Sequence, residues 1–145
     1  MSTVDFVKQV AIYCGWDGTK TPENRAFLSN LKDLLTNWND IPFNKVKEEA
    51  EKFEGDARTR DYSTDDVIIF IHCREPKEIA KFVKEMDAKT LLMRRAVIEN
   101  DNQSNHADAE VFNYDYDYII ENNGTLEELE QKAIEFLKQL GLRTC

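Results

Sequence analysis

Three arginines follow apolar runs that are typical of buried β-strands, and their side chains could bind a phosphate group. Arg74 comes shortly after the run at 67–71, and Arg94 and Arg95 follow the run at 90–93. The carboxyl ends of parallel strands meet at one edge of a sheet, where ligands bind beside helix amino termini. We therefore expect the three guanidinium groups to converge on an anion. For each arginine alone, a helix cap, an ion pair or simple solvation is the alternative.

The elements that must position these arginines are alternating strands and helices in the second half of the chain. Short apolar runs, the first of them rich in β-branched residues, predict strands at about 67–72, 90–94 and 117–121. A helix beginning at Pro76 joins the first two strands into a parallel unit with a right-handed crossover. Thr125 and Glu128 have the spacing of a capping box, and the last helix should end near Gly141.

The first 60 residues predict three helices. The first ends in a turn at Gly15-Trp16-Asp17-Gly18, and the second begins after Thr21, a capping residue, with Pro22 in its first turn. The second helix carries a wide apolar stripe formed by Phe27, Leu28, Leu31, Leu34, Leu35 and Trp38. The third carries Phe43, Val46, Ala50 and Phe53. We therefore expect an α/β protein of about five helices around a short parallel sheet.

Composition limits the classes of protein. The 145 residues suffice for one domain, and the net charge of −9 argues against a general nucleic-acid binder. No apolar run approaches the roughly 20 residues of a membrane span, and no signal peptide is visible, so we expect a cytoplasmic protein. Cys14, Cys73 and Cys145 lack paired spacing and indicate reduced thiols. A metal site of His72, Cys73 and His106 has little support, because these residues lack metal-type spacing.

Four stretches of the chain resemble parts of a known family. They read STVDFVKQVAIYCGWDGTKTPENRAFLSNLKDLL, VIIFIHCREPKEIAKF, TLLMRRA and YDYIIENNGTLEELEQKAIEFL. They resemble P-loop nucleotide kinases, in particular bacterial and phage enzymes similar to deoxynucleoside monophosphate kinases. The first stretch resembles the substrate-binding helical segment, and the others resemble the carboxyl-terminal half. The resemblance covers nearly the whole chain, and its most recognisable piece is the ending D-Y-I-I-x-N-N-G-T-L-x-x-L.

The resemblance implies a fold and an activity. The fold would be a three-layer P-loop-kinase-like α/β domain, with a helical acceptor-binding segment over about 1–60 and a lid over about 95–113. The activity would be transfer of the γ-phosphoryl group of ATP, with Mg²⁺, to a phosphorylated small molecule such as a nucleoside monophosphate. Neither nucleic acid nor membrane is an expected partner.

The resemblance also implies three sets of site residues. The acceptor-binding set is Asp5, Lys8 and Arg25. The catalytic set is Arg74, which would reach the acceptor phosphate, and Arg94 and Arg95, which would begin the lid. The set bordering the donor nucleotide is Asn122, Gly124 and Thr125. The alternatives are that Lys8 and Arg25 are ordinary outer-face helix residues and that Asn122, Asn123 and Gly124 form only a turn.

One motif of the family is absent. A P-loop kinase needs G-x-x-x-x-G-K-[ST] after its first strand to cradle the donor phosphates, and none of the five glycines begins such a motif. Gly18-Thr19-Lys20-Thr21 is the nearest match, without the preceding strand. The family also has an aspartate at the end of the strand that corresponds to 67–72, for magnesium coordination, and this chain has His72 there. We therefore expect no turnover from these residues alone.

The missing motif leaves several outcomes open. The first strands of the family fold would be absent, which exposes strand edges. The chain could be a portion of a longer or split kinase, could self-associate to cover those edges, which we favour, or could close into a three-stranded noncatalytic remnant. Two functions remain: part of a nucleotide-kinase-like protein, or a noncatalytic nucleotide-binding, phosphate-binding or structural interaction domain.

Overall fold

The computed structural model describes residues 1–59, 68–95 and 110–142. In these ranges the protein is α/β, with five α-helices and a short sheet of two parallel strands. The chain divides into two compact units, Met1–Cys73 and Arg74–Cys145. None of the helices in the described ranges combines the length and apolar character needed to cross a membrane.

The amino-terminal unit consists mainly of three helices, α1 (Thr3–Tyr13), α2 (Pro22–Asn39) and α3 (Ile41–Thr59). The Ser2 hydroxyl caps α1 by accepting a hydrogen bond from the Val4 N–H at 3.2 Å. The Thr21 hydroxyl accepts one from the Asn24 N–H at 3.2 Å, which confirms the predicted start of α2. Buried apolar side chains of α1 and α3 form the core of this unit: Val7, Ala11, Phe43, Val46 and Ala50.

The predicted strand at 67–72 is not formed by its described part, residues 68–72. This segment makes a single parallel bridge, between Ser2 and His72. The His72 N–H donates to the Met1 carbonyl at 2.9 Å, and the Met1 amino group donates to the Phe70 carbonyl at 3.0 Å. Helix α1 begins at Thr3, directly after the bridged Ser2, so the chain leaves the extended conformation on that side of the bridge. The pairing therefore does not continue past Ser2 into α1.

The carboxyl-terminal unit contains α4 (Pro76–Met86), β1 (Leu91–Arg94), a 3₁₀ turn (Val111–Asn113), β2 (Tyr118–Glu121) and α5 (Leu126–Gln139). The strands β1 and β2 are parallel, with Leu91 opposite Tyr118 and Arg94 opposite Glu121. The strands predicted at about 90–94 and 117–121 are thereby confirmed. The Tyr118 and Phe136 rings meet edge to face at 5.2 Å, which packs α5 against β2.

Candidate functional site

The carboxyl edge of the two-stranded sheet places Arg94 beside Glu121. The two residues are register partners at the ends of β1 and β2, and Arg94 Nη1 lies 3.6 Å from Glu121 Oε1. The Arg94 guanidinium carbon also lies 6.0 Å from the centroid of the Phe112 ring. The carboxylate and the aromatic ring thus hold a half-exposed guanidinium group at the edge where the sequence predicts an anion site.

Glu121 is the centre of a small polar network. Asn123 Nδ2 donates to Glu121 Oε2 at 3.1 Å, and Lys132 Nζ donates to the Glu121 carbonyl at 2.6 Å. Neither Glu121 nor Lys132 is among the site residues predicted from the sequence. Glu121 could have been found, because it ends its predicted strand as Arg94 does and parallel strands align their carboxyl ends. Lys132 gives no local signal, because it reaches the sheet edge from within α5.

The turn after β2 is tied to the sheet and to α5. The Asn122 N–H donates to the Arg94 carbonyl at 2.7 Å and so extends the ladder by one bond. Thr125 N–H donates to Glu128 Oε2 at 2.9 Å, and Glu128 N–H donates to the Thr125 hydroxyl at 3.3 Å. The predicted capping box is therefore confirmed. Two N–H groups that an anion could use at this helix end are already satisfied.

A groove of about 460 Å³ lies between β2 and α5, next to this network. Its charged lining consists of Asp117, Glu121, Glu135 and Lys132. Three carboxylates against one ammonium group disfavour an anionic ligand in the groove. A phosphate group would therefore bind on the Arg94 side of the edge rather than in the groove.

The other two predicted catalytic arginines belong to the same unit. Arg95 directly follows β1, and Arg74 lies two positions before the first residue of α4. Both side chains are exposed. Convergence of all three arginines on one anion stays a prediction. Most of the predicted lid at 95–113, including His106, lies outside the described residues. Its described end forms the 3₁₀ turn that supplies Phe112.

The three predicted acceptor-binding residues lie on exposed helix surfaces of the amino-terminal unit. Lys8 Nζ lies 3.9 Å from Asp5 Oδ1, one turn away on α1, with both side chains about half exposed. Arg25 Nε donates to the Lys20 carbonyl at 3.3 Å. Exposed pairs of this kind contribute little to stability. These contacts suit outer-face helix residues, and the acceptor-binding role stays a prediction.

A kinase site would also contain residues that hold a magnesium ion and residues that hold the donor phosphates. No group of three or more histidine, cysteine or acidic side chains in residues 1–59, 68–95 and 110–142 is placed to hold a metal ion. The sequence contains no G-x-x-x-x-G-K-[ST] loop. Asn122, Gly124 and Thr125 lie in the turn and cap described above, and their role beside the donor nucleotide stays a prediction.

Comparisons of the chain with protein-family models, with curated proteins and with solved structures found no match. The fold and edge geometry define an α/β protein with an arginine–glutamate pair at the carboxyl end of a parallel sheet. The resemblance to nucleotide kinases accordingly stays a prediction from the sequence.

Proposed function

We propose that this chain is a portion of a nucleotide-kinase-like protein and that the carboxyl edge of its sheet binds the phosphate group of a small molecule such as a nucleoside monophosphate. The observation that supports this proposal is the parallel register, which puts Arg94 at the end of β1 beside the turn at 122–125. Arginine suits this role, because its planar fork of N–H donors matches phosphate oxygens.

The geometry of Arg94 is compatible with exchange of its partner. Its ion pair with Glu121 is long, at 3.6 Å, and both side chains are more than a third exposed. Such a pair contributes about 0–1 kcal/mol, so a phosphate that forms shorter, charge-assisted hydrogen bonds could displace the carboxylate. Phe112 would continue to support the face of the guanidinium group during the exchange.

The proposal stops at binding of the phosphorylated acceptor. A complete kinase would use ATP and Mg²⁺, and the sequence has no G-x-x-x-x-G-K-[ST] loop to cradle the ATP phosphates. No step of phosphoryl transfer is therefore assigned to this chain, and we expect no ATP-dependent turnover from it alone. Turnover that disappears in Arg74→Ala would contradict this expectation.

Calorimetric titration of the protein with a panel of nucleoside monophosphates, and with inorganic phosphate, tests the binding. We expect Arg94→Ala to weaken binding about tenfold or more, equivalent to about 1.4 kcal/mol. Glu121→Gln should strengthen binding, because it removes the competing carboxylate. Lys138→Ala is the matched control, since it removes one positive charge from the last turn of α5. Absence of binding, or equal losses in Arg94→Ala and Lys138→Ala, would refute the proposal.

A second candidate function is a noncatalytic structural domain, and the contacts of Arg94 favour it. The same pair with Glu121 and ring contact with Phe112 could serve only to hold the end of the sheet. In that case Arg94→Ala would lower the free energy of unfolding, and no monophosphate would bind the wild-type protein. Denaturation and titration of the same samples separate the two functions.

A further inference from the structure

Helix α2 exposes a continuous apolar stripe. None of its 18 residues is buried. Phe27, Leu34 and Trp38 are 36%, 64% and 80% exposed, and Leu31, which lies between them, is partly buried. We call Phe27, Leu31, Leu34 and Trp38 the α2 stripe. With about 150–250 Å² for each aromatic side chain, the stripe exposes on the order of a few hundred Å², comparable with the largest apolar patch of a typical monomer, which is often functional.

The spacing of the α2 stripe is that of a helix-pairing seam. Its members are separated by four, three and four residues, which is the alternation of the two core positions in a heptad. A helix that only covers the core of its own domain buries this kind of row. In α2 the partly buried leucines are Leu28 and Leu35, on the neighbouring face, and Leu31 of the stripe. The other three members of the stripe are exposed.

We infer that the α2 stripe binds the same stripe of a second copy of this chain, with the two helices antiparallel. A two-fold axis between residues 32 and 33 places Phe27 opposite Trp38 of the second copy and Leu31 opposite Leu34 of the second copy. Every member of the stripe then meets an apolar side chain, aromatic with aromatic and leucine with leucine. This self-complementarity is the reason for choosing a second copy over an unrelated partner.

The charges of α2 permit this contact even though each copy has a net charge of −9. At about 100° per residue, Lys32 and Asp33 lie far round the helix from the stripe. The residues that flank the stripe on its solvent side are Asn30 and Asn37, which are exposed and uncharged. Like charges therefore do not face each other along the paired section from 27 to 38.

The expected dimer is weak. Stable interfaces bury about 800 Å² on each partner, and the α2 stripe exposes less than that. We expect a dissociation constant on the order of micromolar, with the mass depending on protein concentration. This contact differs from the strand-edge association predicted from the sequence. In the structure, Lys132 Nζ donates a hydrogen bond to the Glu121 carbonyl, on the edge of β2 that faces away from β1.

Sedimentation equilibrium of the full chain over a range of concentrations tests the dimer. The average mass should rise from 16.9 kDa towards twice that value. Leu34→Glu should weaken association at least about 30-fold, as expected for a central contact. Ser29→Glu, an exposed position on the opposite side of α2, adds the same charge and should leave the dimer intact. Trp38→Ala is the second test variant, and circular dichroism checks that each variant stays helical.

Three results would overturn the inference. The wild-type chain could remain monomeric at every concentration, the dimer could survive both Leu34→Glu and Trp38→Ala, or Ser29→Glu could abolish it equally. Each of these results would show that the α2 stripe is not the contact. A partner found in place of the second copy would overturn the choice of occupant.

Cysteine cross-linking tests the antiparallel register. In a background without the native cysteines Cys14, Cys73 and Cys145, Phe27→Cys mixed with Trp38→Cys should form a disulfide under oxidation. Phe27→Cys alone should not, because the two copies of position 27 would lie about 16 Å apart along the helix pair. Efficient self-cross-linking of Phe27→Cys, with none in the mixture, would indicate parallel helices and overturn the proposed geometry.

Discussion

Asp117 and Thr90 hold the amino ends of the two strands together through three reciprocal hydrogen bonds. Asp117 Oδ2 accepts from both the N–H and the hydroxyl of Thr90, each at 2.8 Å, and the Thr90 hydroxyl accepts from the Asp117 N–H at 2.8 Å. Each residue directly precedes its strand. Arg94 and Glu121 pair at the other end of the sheet. Polar contacts therefore fix the register of the two four-residue strands at both ends.

Removing the Thr90 hydroxyl should destabilise the carboxyl-terminal unit. Thr90 is buried, and Thr90→Val leaves both the Asp117 N–H and part of its carboxylate without their partner. Asp117 is exposed, so water can replace part of the lost contact, and we expect a loss of about 0.5–1.5 kcal/mol in the free energy of unfolding, measured by urea denaturation. The control is Thr59→Val, because the Thr59 hydroxyl donates to the Asp56 carbonyl on an exposed helix. Equal losses in the two variants would contradict a special role for Thr90.

The same contact should make stability depend on pH. Hydrogen bonds from the N–H and hydroxyl of Thr90 hold the pKa of Asp117 below its ordinary value. A carboxyl group whose pKa is lower in the folded state stabilises the fold above its unfolded pKa of about 3.9, and this contribution is lost as the pH falls through the folded pKa. The stability difference between wild type and Asp117→Asn should therefore shrink between about pH 5 and pH 2.

Urea midpoints of both proteins across this pH range measure the difference, and Asp115→Asn, two residues away and exposed, is the control. A difference between wild type and Asp117→Asn that stays constant down to pH 2 would show that the Thr90 contact does not respond to protonation of Asp117.

The capping box of Thr125 and Glu128 should form best when residue 124 has no side chain. A Cβ at position 124 would collide with the carboxylate of Glu128, which accepts the hydrogen bond from the Thr125 N–H. Gly124→Ala should therefore displace that carboxylate and cost about 1 kcal/mol, as loss of a helix cap does. In a double-mutant cycle with Glu128→Ala, the two losses should not add, because both remove the same contact. Additive losses would mean that Gly124 acts in another way.

Asp87 offers a stabilising substitution. It ends α4 in the left-handed conformation, with φ 51° and ψ 34°, and its carboxylate lies at the negative end of the helix dipole. Asp87→Gly should relieve the backbone conformation and raise the free energy of unfolding by about 0.5–1 kcal/mol. Asp87→Asn separates the effects, since it removes the charge and still tolerates this conformation. Destabilisation by both variants in thermal unfolding would contradict the prediction.

Local signals in the sequence were sufficient for the helix ends. The cap at Thr21, the capping box of Thr125 and Glu128 and the left-handed Gly141 after α5 all lie where the sequence predicts them. Each of these features depends on contacts within about four residues, so the residues that form the sequence pattern also make the stabilising contacts. The two strands of the sheet were also predicted, from short apolar runs between helices, although the same signal at 67–71 did not produce a strand in residues 68–72.

Pairing and burial depended on the tertiary structure. The apolar run at 67–71 was predicted as a strand, but a strand also needs a partner to pair with, and residues 68–72 make a single bridge, between Ser2 and His72. The stripe of α2 was predicted from its period, but the period does not say whether Leu34 and Trp38 are covered, and they are exposed.

The sequence by itself therefore determined the helices, the two strands and the arginines that end or follow them, since neighbouring residues decide backbone conformation. Only the tertiary structure decided that Arg94 meets Glu121 and Phe112, that Lys132 reaches the sheet edge, and that α2 presents its seam to solvent. These relationships join residues far apart in the chain, and their energies exist only after the backbone has brought them together.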